Sequence, residues 1–484
     1  MPLQHVEVHR DLADGTTLRA DVAIVGSGAG GAAVAGELSR AGLTSVVIEP
    51  GDLPHDRGLG THLRNAHPPE ADLRAEFGPR VLEGLVPYQN AERTLPDLRG
   101  QRFVHAIGGM MSFWSHVCAE PDYATEAEPD IPQAEMRSLW AEAAELLWAN
   151  REVGAAGVRQ RRLMAALRGL LPGLPADRGV QPLPIGLRHD PTGQAEYAGA
   201  DALLSGLDTA RPARITLVAG YAAQRIELAG SRASAVVAAA VNGPARLRIE
   251  ADAVVTAAGA LGSPMILRNS GIRLPALGRY LTDHTMVSSR IRLGRHVLAG
   301  ADERDASFGV WIPSSAARLA HTQVVPPWTE VAGFDPGVPA RETADIGQFV
   351  GVDPDPDNRL VFDDDRHDAW GLPVTTARFA LGAADRERLH ATVADHARVA
   401  DSIRDTSVGL SISVAPPGGS LHLMGSTRLG SPETGVADSR GKVWGTDNLY
   451  VAGNGVVSTR TTSNPTVNVV AIALRTARAI AGTD

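Results

Sequence analysis

The chain contains a strand–glycine–helix unit at residues 21–31, DVAIVGSGAGG, which constrains the fold more than any other stretch. The four apolar residues at 22–25 form a short run before the first glycine, as is typical of a fully buried parallel strand. Three glycines then allow a tight turn, a close backbone approach to a pyrophosphate and close helix-to-sheet packing. They occupy the G-x-G-x-x-G positions and are Gly26, Gly28 and Gly31. The following helix would direct its free N–H groups at the phosphate, so the unit predicts a dinucleotide-binding α/β domain.

A second apolar strand, SVVIE at residues 45–49, ends in Glu49. A carboxylate about twenty residues after the glycines accepts hydrogen bonds from a ribose hydroxyl, which favours FAD or NAD over NADP. The alternative is a strand-to-helix turn without a ligand, and the order of strand, glycines, helix and acid argues against it. The pattern does not distinguish a nicotinamide from a flavin, so that choice depends on the rest of the chain.

The composition limits the classes of protein to which the chain can belong. Its 484 residues predict two or three domains, because a single core of this size is uncommon. A net charge of −9 without a clustered stripe of lysine and arginine argues against nucleic acid as a partner. No apolar run reaches the roughly 18 residues of a membrane span, and the N-terminus has no apolar signal segment, so we expect a cytoplasmic protein without membrane contact. Cys118, the one cysteine, excludes an intrachain disulfide and argues against a cysteine-ligated metal site.

Hydrophobic periodicity predicts the principal helices and strands. Helical spacing favours helices at residues 133–148, 158–171, 384–404 and 465–481. Strand patterns occur at residues 215–226, 233–241, 245–249 and 253–258. A helix start is expected at Ser263 and Pro264, whereas residues 53–98 and 172–199 are expected to be irregular.

Residues 286–406 have a different character from the rest of the chain. Alternating segments recur there, namely VSSRIRL, SFGVWI, DIGQFVGV, RLVF and VTTARFAL. This alternation predicts an antiparallel sheet in a second domain that is inserted into the first.

Six motifs in order resemble the glucose-methanol-choline (GMC) family of FAD oxidoreductases, in its pyranose oxidase and glycoside 3-oxidase branch. They are GSGAGG with Glu49, IGGMMSFWS, AAGALGSPMILRNSGI, GRYLTDH, DDDRHDAWGLP, and HLMGSTRLG followed by NLYVAGNGVVSTRTTSNPTVNVVAIAL. The resemblance runs nearly end to end and implies the α/β GMC fold. A Rossmann-like FAD-binding domain is expected at residues 1–120, 205–290 and 405–484. A substrate-binding domain with an antiparallel sheet and helices is expected at residues 121–204 and 291–404.

The resemblance also implies FAD as the cofactor. Phe113 stands where some members have a histidine bonded covalently to the flavin, so we expect non-covalent FAD. His105 and His116 lie nearby without matching the family position, and we treat them as ordinary polar residues. The residues assigned to the cofactor site are Gly26, Ser27, Gly28, Ala29, Gly30, Gly31, Glu49, Gly108, Gly109, Met110, Ser115, Ala223, Ala258, Asn454, Asn464 and Thr466.

Flavin-dependent oxidation of an alcohol needs a base that takes the hydroxyl proton, and histidine suits this task because its ordinary pKa lies near 6.5. Of the 15 histidines, His422 in HLMGSTRLG matches the family's catalytic histidine. Asn464 matches the second active-site position and is expected to hold the substrate hydroxyl against His422. Asn464 followed by Pro465 is equally typical of a helix N-cap with proline at the first helical position.

The sequence thus predicts an FAD-dependent enzyme that oxidises a secondary hydroxyl group, at C2 or C3 of a sugar or glycoside, to a ketone. The alternatives are a biosynthetic alcohol or aminoglycoside oxidase, a flavin-containing hydroxynitrile-type lyase, and a flavin-binding protein without activity. The electron acceptor, oxygen or another, and a homo-oligomeric state are left open. Aromatic candidates for stacking on the substrate are Trp311, Trp328, Phe349 and Trp370.

Overall fold

The computed structural model describes residues 6–54, 60–66, 95–153, 157–205, 214–301, 309–327 and 340–483. Trp328 and most of the segment 53–98 lie outside the described residues. The strands are β1 (Val6–His9), β2 (Thr16–Val25), β3 (Ser45–Glu49), β4 (Ala149–Asn150), β5 (Gln181–Pro182), β6 (Ile185–His189), β7 (Ala195–Tyr197), β8 (Ile215–Ala219), β9 (Tyr221–Ala229), β10 (Arg232–Ala240), β11 (Arg246–Thr256), β12 (His284–Arg292), β13 (Val310–Ile312), β14 (His321–Val325), β15 (Thr343–Gly351), β16 (Arg359–His367), β17 (Pro373–Arg378), β18 (Ser413–Val414) and β19 (Leu449–Val451). The α-helices are α1 (Ala29–Arg40), α2 (Gln133–Leu146), α3 (Val158–Leu170), α4 (Ala200–Ser205), α5 (Gly259–Asn269), α6 (Arg295–Leu298), α7 (Ala383–Ile403) and α8 (Thr466–Ala481).

The first sheet has a parallel centre, as the opening motif predicts. Its strand order is β1-β8-β3-β2-β11-β10-β9, and β19 pairs with the C-terminal end of β11. The strands β1, β8, β3, β2, β11 and β19 are parallel, whereas β9 and β10 form an antiparallel extension. Residues 22–25 at the end of β2 are at most 4% exposed, because helices cover a parallel sheet on its faces. The predicted Rossmann-like architecture is confirmed.

The second sheet is antiparallel, as the alternating segments predict. Its order is β18-β12-β15-β14-β13-β5, and each pair of neighbouring strands in this order runs antiparallel. The long helix α7 packs against β12 and β15, and its apolar residues share a hydrophobic cluster with them. This sheet brings His284 of β12 and Gln323 of β14 into contact with His422 and Asn464, which line the cavity described below.

The segments RLVF and VTTARFAL do not belong to the second sheet. They form the separate hairpin β16–β17. Leu360, Ala377 and Phe379 pack into the hydrophobic cluster of the first sheet. The prediction of one antiparallel sheet was therefore wrong for these two segments, because alternation specifies a half-buried strand without specifying its partner.

Three further local predictions differ from the structure. Residues 172–199 contain the short strands β5, β6 and β7 rather than only loop, and β11 is one strand where the pattern suggested two. Helix α5 begins at Gly259, so Pro264 lies inside it instead of at its start. The Ala260 carbonyl, which loses its helical N–H partner because of Pro264, accepts a hydrogen bond of 2.6 Å from Ser426 Oγ. The proline is thus accommodated by a residue that is distant in sequence.

No helix among the described residues is long and apolar enough to cross a membrane. The same part of the chain contains no group of three or more His, Cys, Asp or Glu side chains arranged to hold a metal ion. The boundaries of the two domains stay a prediction.

Candidate active site

One cavity of about 430 Å³ joins the glycine turn after β2 to the loop that carries His422. Most residues assigned to the cofactor or to catalysis from the sequence line it. They are Gly26, Gly28, Ala29, Gly30, Glu49, Gly109, Met110, Ser115, Ala223, Ala258, His422, Asn454, Asn464 and Thr466. The nucleotide-binding turn and the predicted base therefore open onto the same space.

Three assigned residues, Ser27, Gly31 and Gly108, do not line this cavity. A Cβ atom at Gly31 would lie 1.9 Å from the carbonyl oxygen of Gly26, so glycine is required there for packing. Ser27 Oγ accepts a hydrogen bond of 2.9 Å from the Gly108 N–H and donates one of 2.7 Å to Glu49. These residues support the lining residues instead of facing the cavity.

Gly28 has a different role from Gly31. It is the N-cap of α1 with φ −65°, a conformation open to any residue. A Cβ atom there would have one neighbour within 4 Å, the Gly108 carbonyl oxygen at 3.9 Å. Space beside the Gly28 backbone is thus open to the cavity, as a closely approaching phosphate requires.

Glu49 lies buried at the end of β3 beside this turn. Its carboxylate accepts hydrogen bonds from the Ser27 N–H at 3.1 Å, the Ser27 hydroxyl at 2.7 Å and the Gly51 N–H at 3.2 Å. Burial raises the pKa of Glu49 to about 7, against the opposing effect of these three donors. Further donors, such as ribose hydroxyls, would favour the ionised carboxylate.

The loop that carries His422 is held by the GRYLTDH segment. Thr282 and Met424 exchange backbone hydrogen bonds of 3.1 and 2.9 Å. The buried Asp283 carboxylate accepts from the Gly418 N–H at 2.8 Å and from the Ser420 hydroxyl. Leu421, immediately before His422, has φ +62°, a left-handed conformation that is uncommon for leucine. Such strain persists only where surrounding contacts fix the backbone, and here they fix the position of His422.

A second histidine, His284, orients His422. The two Nδ1 atoms lie 2.8 Å apart, and His284 Nε2 lies 2.8 Å from the Thr461 carbonyl oxygen. Because a carbonyl oxygen only accepts, neutral His284 carries its proton on Nε2 and accepts at Nδ1. His422 therefore donates from Nδ1, which leaves Nε2 unprotonated.

Both imidazoles are neutral at ordinary pH. Burial lowers the pKa of His422 well below 6.5, and the neighbouring His284 and His321 lower it further. Burial likewise lowers the pKa of His284 to about 4. The His422 Nε2 atom is thus an unprotonated nitrogen on a residue that lines the cavity, as a general base must be.

Asn464 is not a helix cap. The N-cap position of α8 is Pro465, and no side chain caps that helix. The amide of Asn464 instead lies 2.6 Å from the amide of Gln323 on one side and 3.5 Å from His422 Nε2 on the other. Glu126 accepts hydrogen bonds from the Ser463 N–H and hydroxyl, at 3.1 and 2.7 Å, and so holds the preceding residue. The N-cap interpretation was wrong because the Asn464 side chain is engaged in the site.

The aromatic candidates differ in whether their side chains line the cavity. Trp370 lines the cavity near His105, whose ring centroid is 4.6 Å from the indole centroid. Phe349 is 7% exposed and lies 5.6 Å from the His422 ring, between centroids. Trp311 is 1% exposed and does not line the cavity, so its indole is packed in the core. Buried His116 packs against the rings of His62, Trp114 and Tyr197.

Sequence reasoning missed three residues of the site, namely His284, His321 and Gln323. His284 closes the GRYLTDH motif, and a histidine at the end of a family motif was the available signal. His321 and Gln323 lie on β14 outside any recognised motif, and only the pairing of the second sheet brings them to Asn464.

The chain is similar to known proteins over almost its whole length. Two family models described as GMC oxidoreductase match residues 198–286 and 354–473, and an NAD(P)-binding Rossmann-like model matches residues 24–98. A C-glycoside 3-oxidase of Microbacterium trichothecenolyticum is 30% identical, over 95% of this chain and 96% of its own length. A pyranose 2-oxidase of Lyophyllum shimeji is 27% identical, over 87% and 78% respectively. The fold matches that of a pyridoxine 4-oxidase from Mesorbium loti with a TM-score of 0.66 at 16% identity, over 95% of this chain and 98% of that one.

Proposed function

The chain belongs to the GMC oxidoreductase family, and we propose that it uses FAD to oxidise a secondary hydroxyl group of a sugar or glycoside, at C2 or C3, to a ketone. The observation that carries this proposal is the unprotonated His422 Nε2 beside Asn464, in the cavity that also contains the dinucleotide-binding turn. The substrate class rests on the relatives, of which some are named pyranose 2-oxidase and others C-glycoside 3-oxidase.

The residues present fit FAD. The open space beside Gly28 is a cradle that any side chain at this position would fill, and Glu49 lies beside it as an acceptor for ribose hydroxyls. Along the same cavity, Met110, Ser115 and Ala258 would contact the flavin, with Asn454 and Thr466 beside them. The chemistry that bound FAD supplies is the acceptance of a hydride from the alcohol carbon.

The chain's own residues handle the proton. His422 Nε2 accepts the proton of the substrate hydroxyl, while His284 keeps the other ring nitrogen protonated and the ring oriented. Asn464 binds the same hydroxyl group and holds it against His422. No other group has to remove a proton from His422 first, because its imidazole is already neutral before the substrate binds.

Among sugar substrates, a glycoside oxidised at C3 is favoured over a free pyranose oxidised at C2. The support is the extent of the match, since the C-glycoside 3-oxidase aligns over 96% of its own length and the pyranose 2-oxidase over 78%. The relatives are named oxidases, so oxygen is the first electron acceptor to test. A cytoplasmic location stays a prediction.

A panel of substrates tests the proposed function directly. The yellow protein is mixed under anaerobic conditions with C-glycosides, O-glycosides, free pyranoses and simple alcohols, and the flavin absorbance is followed. We expect at least one glycoside or sugar to bleach the flavin and to yield a keto sugar by mass spectrometry. Cleavage of a cyanohydrin without bleaching would instead identify a lyase, and the absence of either reaction would identify a flavoprotein without this activity.

FAD is expected to be bound without a covalent link. Phe113 lines the cavity and has no nucleophilic nitrogen, and the resemblance to the family implies that it stands where some members have the linking histidine. Acid precipitation followed by centrifugation should therefore leave all the yellow colour in the supernatant. A yellow pellet would contradict this expectation, and His105→Ala would then show whether His105, which also lines the cavity, forms the bond.

A further inference from the structure

A line of hydrogen bonds crosses the site from the Thr461 carbonyl to the indole of Trp311, and its donors and acceptors do not balance. We propose that Trp311, His321 and Gln323 are positioning residues that turn the oxygen of the Asn464 amide toward His422 Nε2. Two acceptors then face each other between Asn464 and His422. The hydroxyl proton that His422 takes from the substrate supplies the missing donor. This inference rests on the proposed function of His422 as the base.

Starting at Thr461, the donor and the acceptor of each hydrogen bond follow from contacts already described. The Thr461 carbonyl accepts from His284 Nε2, and His284 Nδ1 accepts from His422 Nδ1, each across 2.8 Å. His422 Nε2 therefore reaches the Asn464 amide as an acceptor.

The count from the other end starts at Trp311, whose indole can only donate. Its Nε1–H donates to His321 Nδ1 at 2.8 Å. Burial lowers the pKa of His321 to about 3, so this imidazole is neutral and carries its single proton on Nε2. The Gln323 amide group lies 2.7 Å from this nitrogen and is placed to accept the proton, and the Asn464 amide is a second side chain within hydrogen-bonding range of His321.

The orientation of the two amides follows. The oxygen and nitrogen of a side-chain amide have nearly the same shape, and the partners decide which is which. With its nitrogen toward His321, Gln323 would place two donors in contact, so its oxygen faces His321. The same position lies 2.6 Å from the Asn464 amide, and in place of a Gln323 nitrogen that donates to the Asn464 oxygen, the Gln323 oxygen then accepts from the Asn464 nitrogen. The Asn464 oxygen is left facing His422 Nε2.

Two acceptors therefore meet between Asn464 and His422. Their separation of 3.5 Å is the longest in the line, whose other contacts measure 2.6 to 2.8 Å. A proton on His422 Nε2 satisfies every donor and acceptor at once. The Asn464 nitrogen keeps a second N–H for the substrate oxygen, so one amide can bind the hydroxyl and stabilise the protonated base.

The charged and titratable groups around His422 do not supply this stabilisation. His284 and His321 oppose its protonation, and Arg178 and Arg318 act on His321 in the same sense. Asp283 reaches the loop through Ser420, and His105 lines the same cavity. A neutral amide oxygen that is fixed in place thus offsets the cost of a buried cation.

Histidine tautomers give a test that needs no turnover. In ¹⁵N-histidine NMR spectra of the holoenzyme at neutral pH, we expect the proton on Nδ1 of His422 and on Nε2 of both His284 and His321. A proton on Nε2 of His422, or on Nδ1 of His321, would overturn the proposal. This result is independent of which substrate the enzyme oxidises, so it separates failure of the inference from failure of the proposed function.

Two substitutions of Gln323 test this orientation of the amides through the pH dependence of the rate of anaerobic flavin reduction. In Gln323→Glu the side chain still accepts from both neighbours, so the rate should stay within about tenfold of wild type and the acid limb should move to higher pH. In Gln323→Leu the rate should fall by more than about tenfold. Equal losses in the two variants, without a pH shift, would overturn the proposal.

Trp311→Phe removes the donor that fixes His321. His321 and both amides can then reverse, and the Asn464 nitrogen would donate to His422 Nε2. The neutral base becomes satisfied, so the acid limb should move to lower pH while reduction slows. Trp140→Phe is the matched control, because the described residues offer no partner to its buried indole nitrogen. An unchanged acid limb in a folded, yellow Trp311→Phe protein would contradict the inference.

Discussion

His422→Ala is expected to slow flavin reduction by the sugar or glycoside by about 10²- to 10⁴-fold, the usual contribution of a positioned general base. The physical reason is that His422 Nε2 is unprotonated, because the other ring nitrogen of His422 donates to His284. Alanine leaves no group on this residue that can take the hydroxyl proton. The protein should stay yellow, because the groups that fit the nucleotide lie at the other end of the cavity, around Gly28 and Glu49.

The measurement is stopped-flow reduction under anaerobic conditions, together with the ratio of flavin to protein after gel filtration. His390→Ala is the control, since His390 is an exposed histidine on α7. Reduction at the wild-type rate would remove His422 from the mechanism. Loss of bound FAD from His422→Ala would show instead that this residue contributes to cofactor retention.

The paired substitutions Gly28→Ala and Gly31→Ala are expected to fail in different ways. At Gly31 the new methyl group would lie 1.9 Å from the Gly26 carbonyl oxygen, and the apoprotein should lose at least about 1–3 kcal/mol of stability through overpacking. At Gly28 the backbone conformation suits alanine and the methyl group enters the cavity. The apoprotein should therefore remain stable but bind FAD at least about tenfold more weakly.

Denaturant unfolding of the apoproteins and fluorescence titration with FAD separate the two effects. A Gly28→Ala protein with wild-type affinity for FAD would show that no phosphate approaches this backbone. A Gly31→Ala protein that is as stable as wild type would show that α1 and the Gly26 turn can move apart enough to accommodate the methyl group.

In this site a second histidine, His284, orients His422, in contrast to sites where a carboxylate orients the catalytic histidine. The groups named above that shift the pKa of His422 are histidines, whereas the buried carboxylate of Asp283 contacts the loop backbone at Gly418 and the Ser420 hydroxyl. A neutral partner keeps His422 in the required tautomer without favouring its protonated form before substrate binds. This arrangement suits a base that must be unprotonated at rest.

The sequence by itself determined the nucleotide-binding unit. The strand, the three glycines, α1 and Glu49 lie within about thirty residues, and their geometry follows from local backbone rules and the burial of an apolar run. His422 was assigned because the contiguous motif HLMGSTRLG resembles the motif that carries the family's catalytic histidine. The parallel centre of the first sheet followed from strands with continuous apolar runs.

Only the tertiary structure decided the rest of the site and the placement of the hairpin β16–β17. His284 meets His422 across 138 positions of sequence, and Gln323 meets Asn464 across 141. Periodicity states which face of a strand is buried and says nothing of its partner, so neither contact could be derived from the pattern. The direction of the Asn464 side chain, into the site rather than over the helix end, was likewise decided by β14, because a short polar side chain takes whichever hydrogen bonds its neighbours offer.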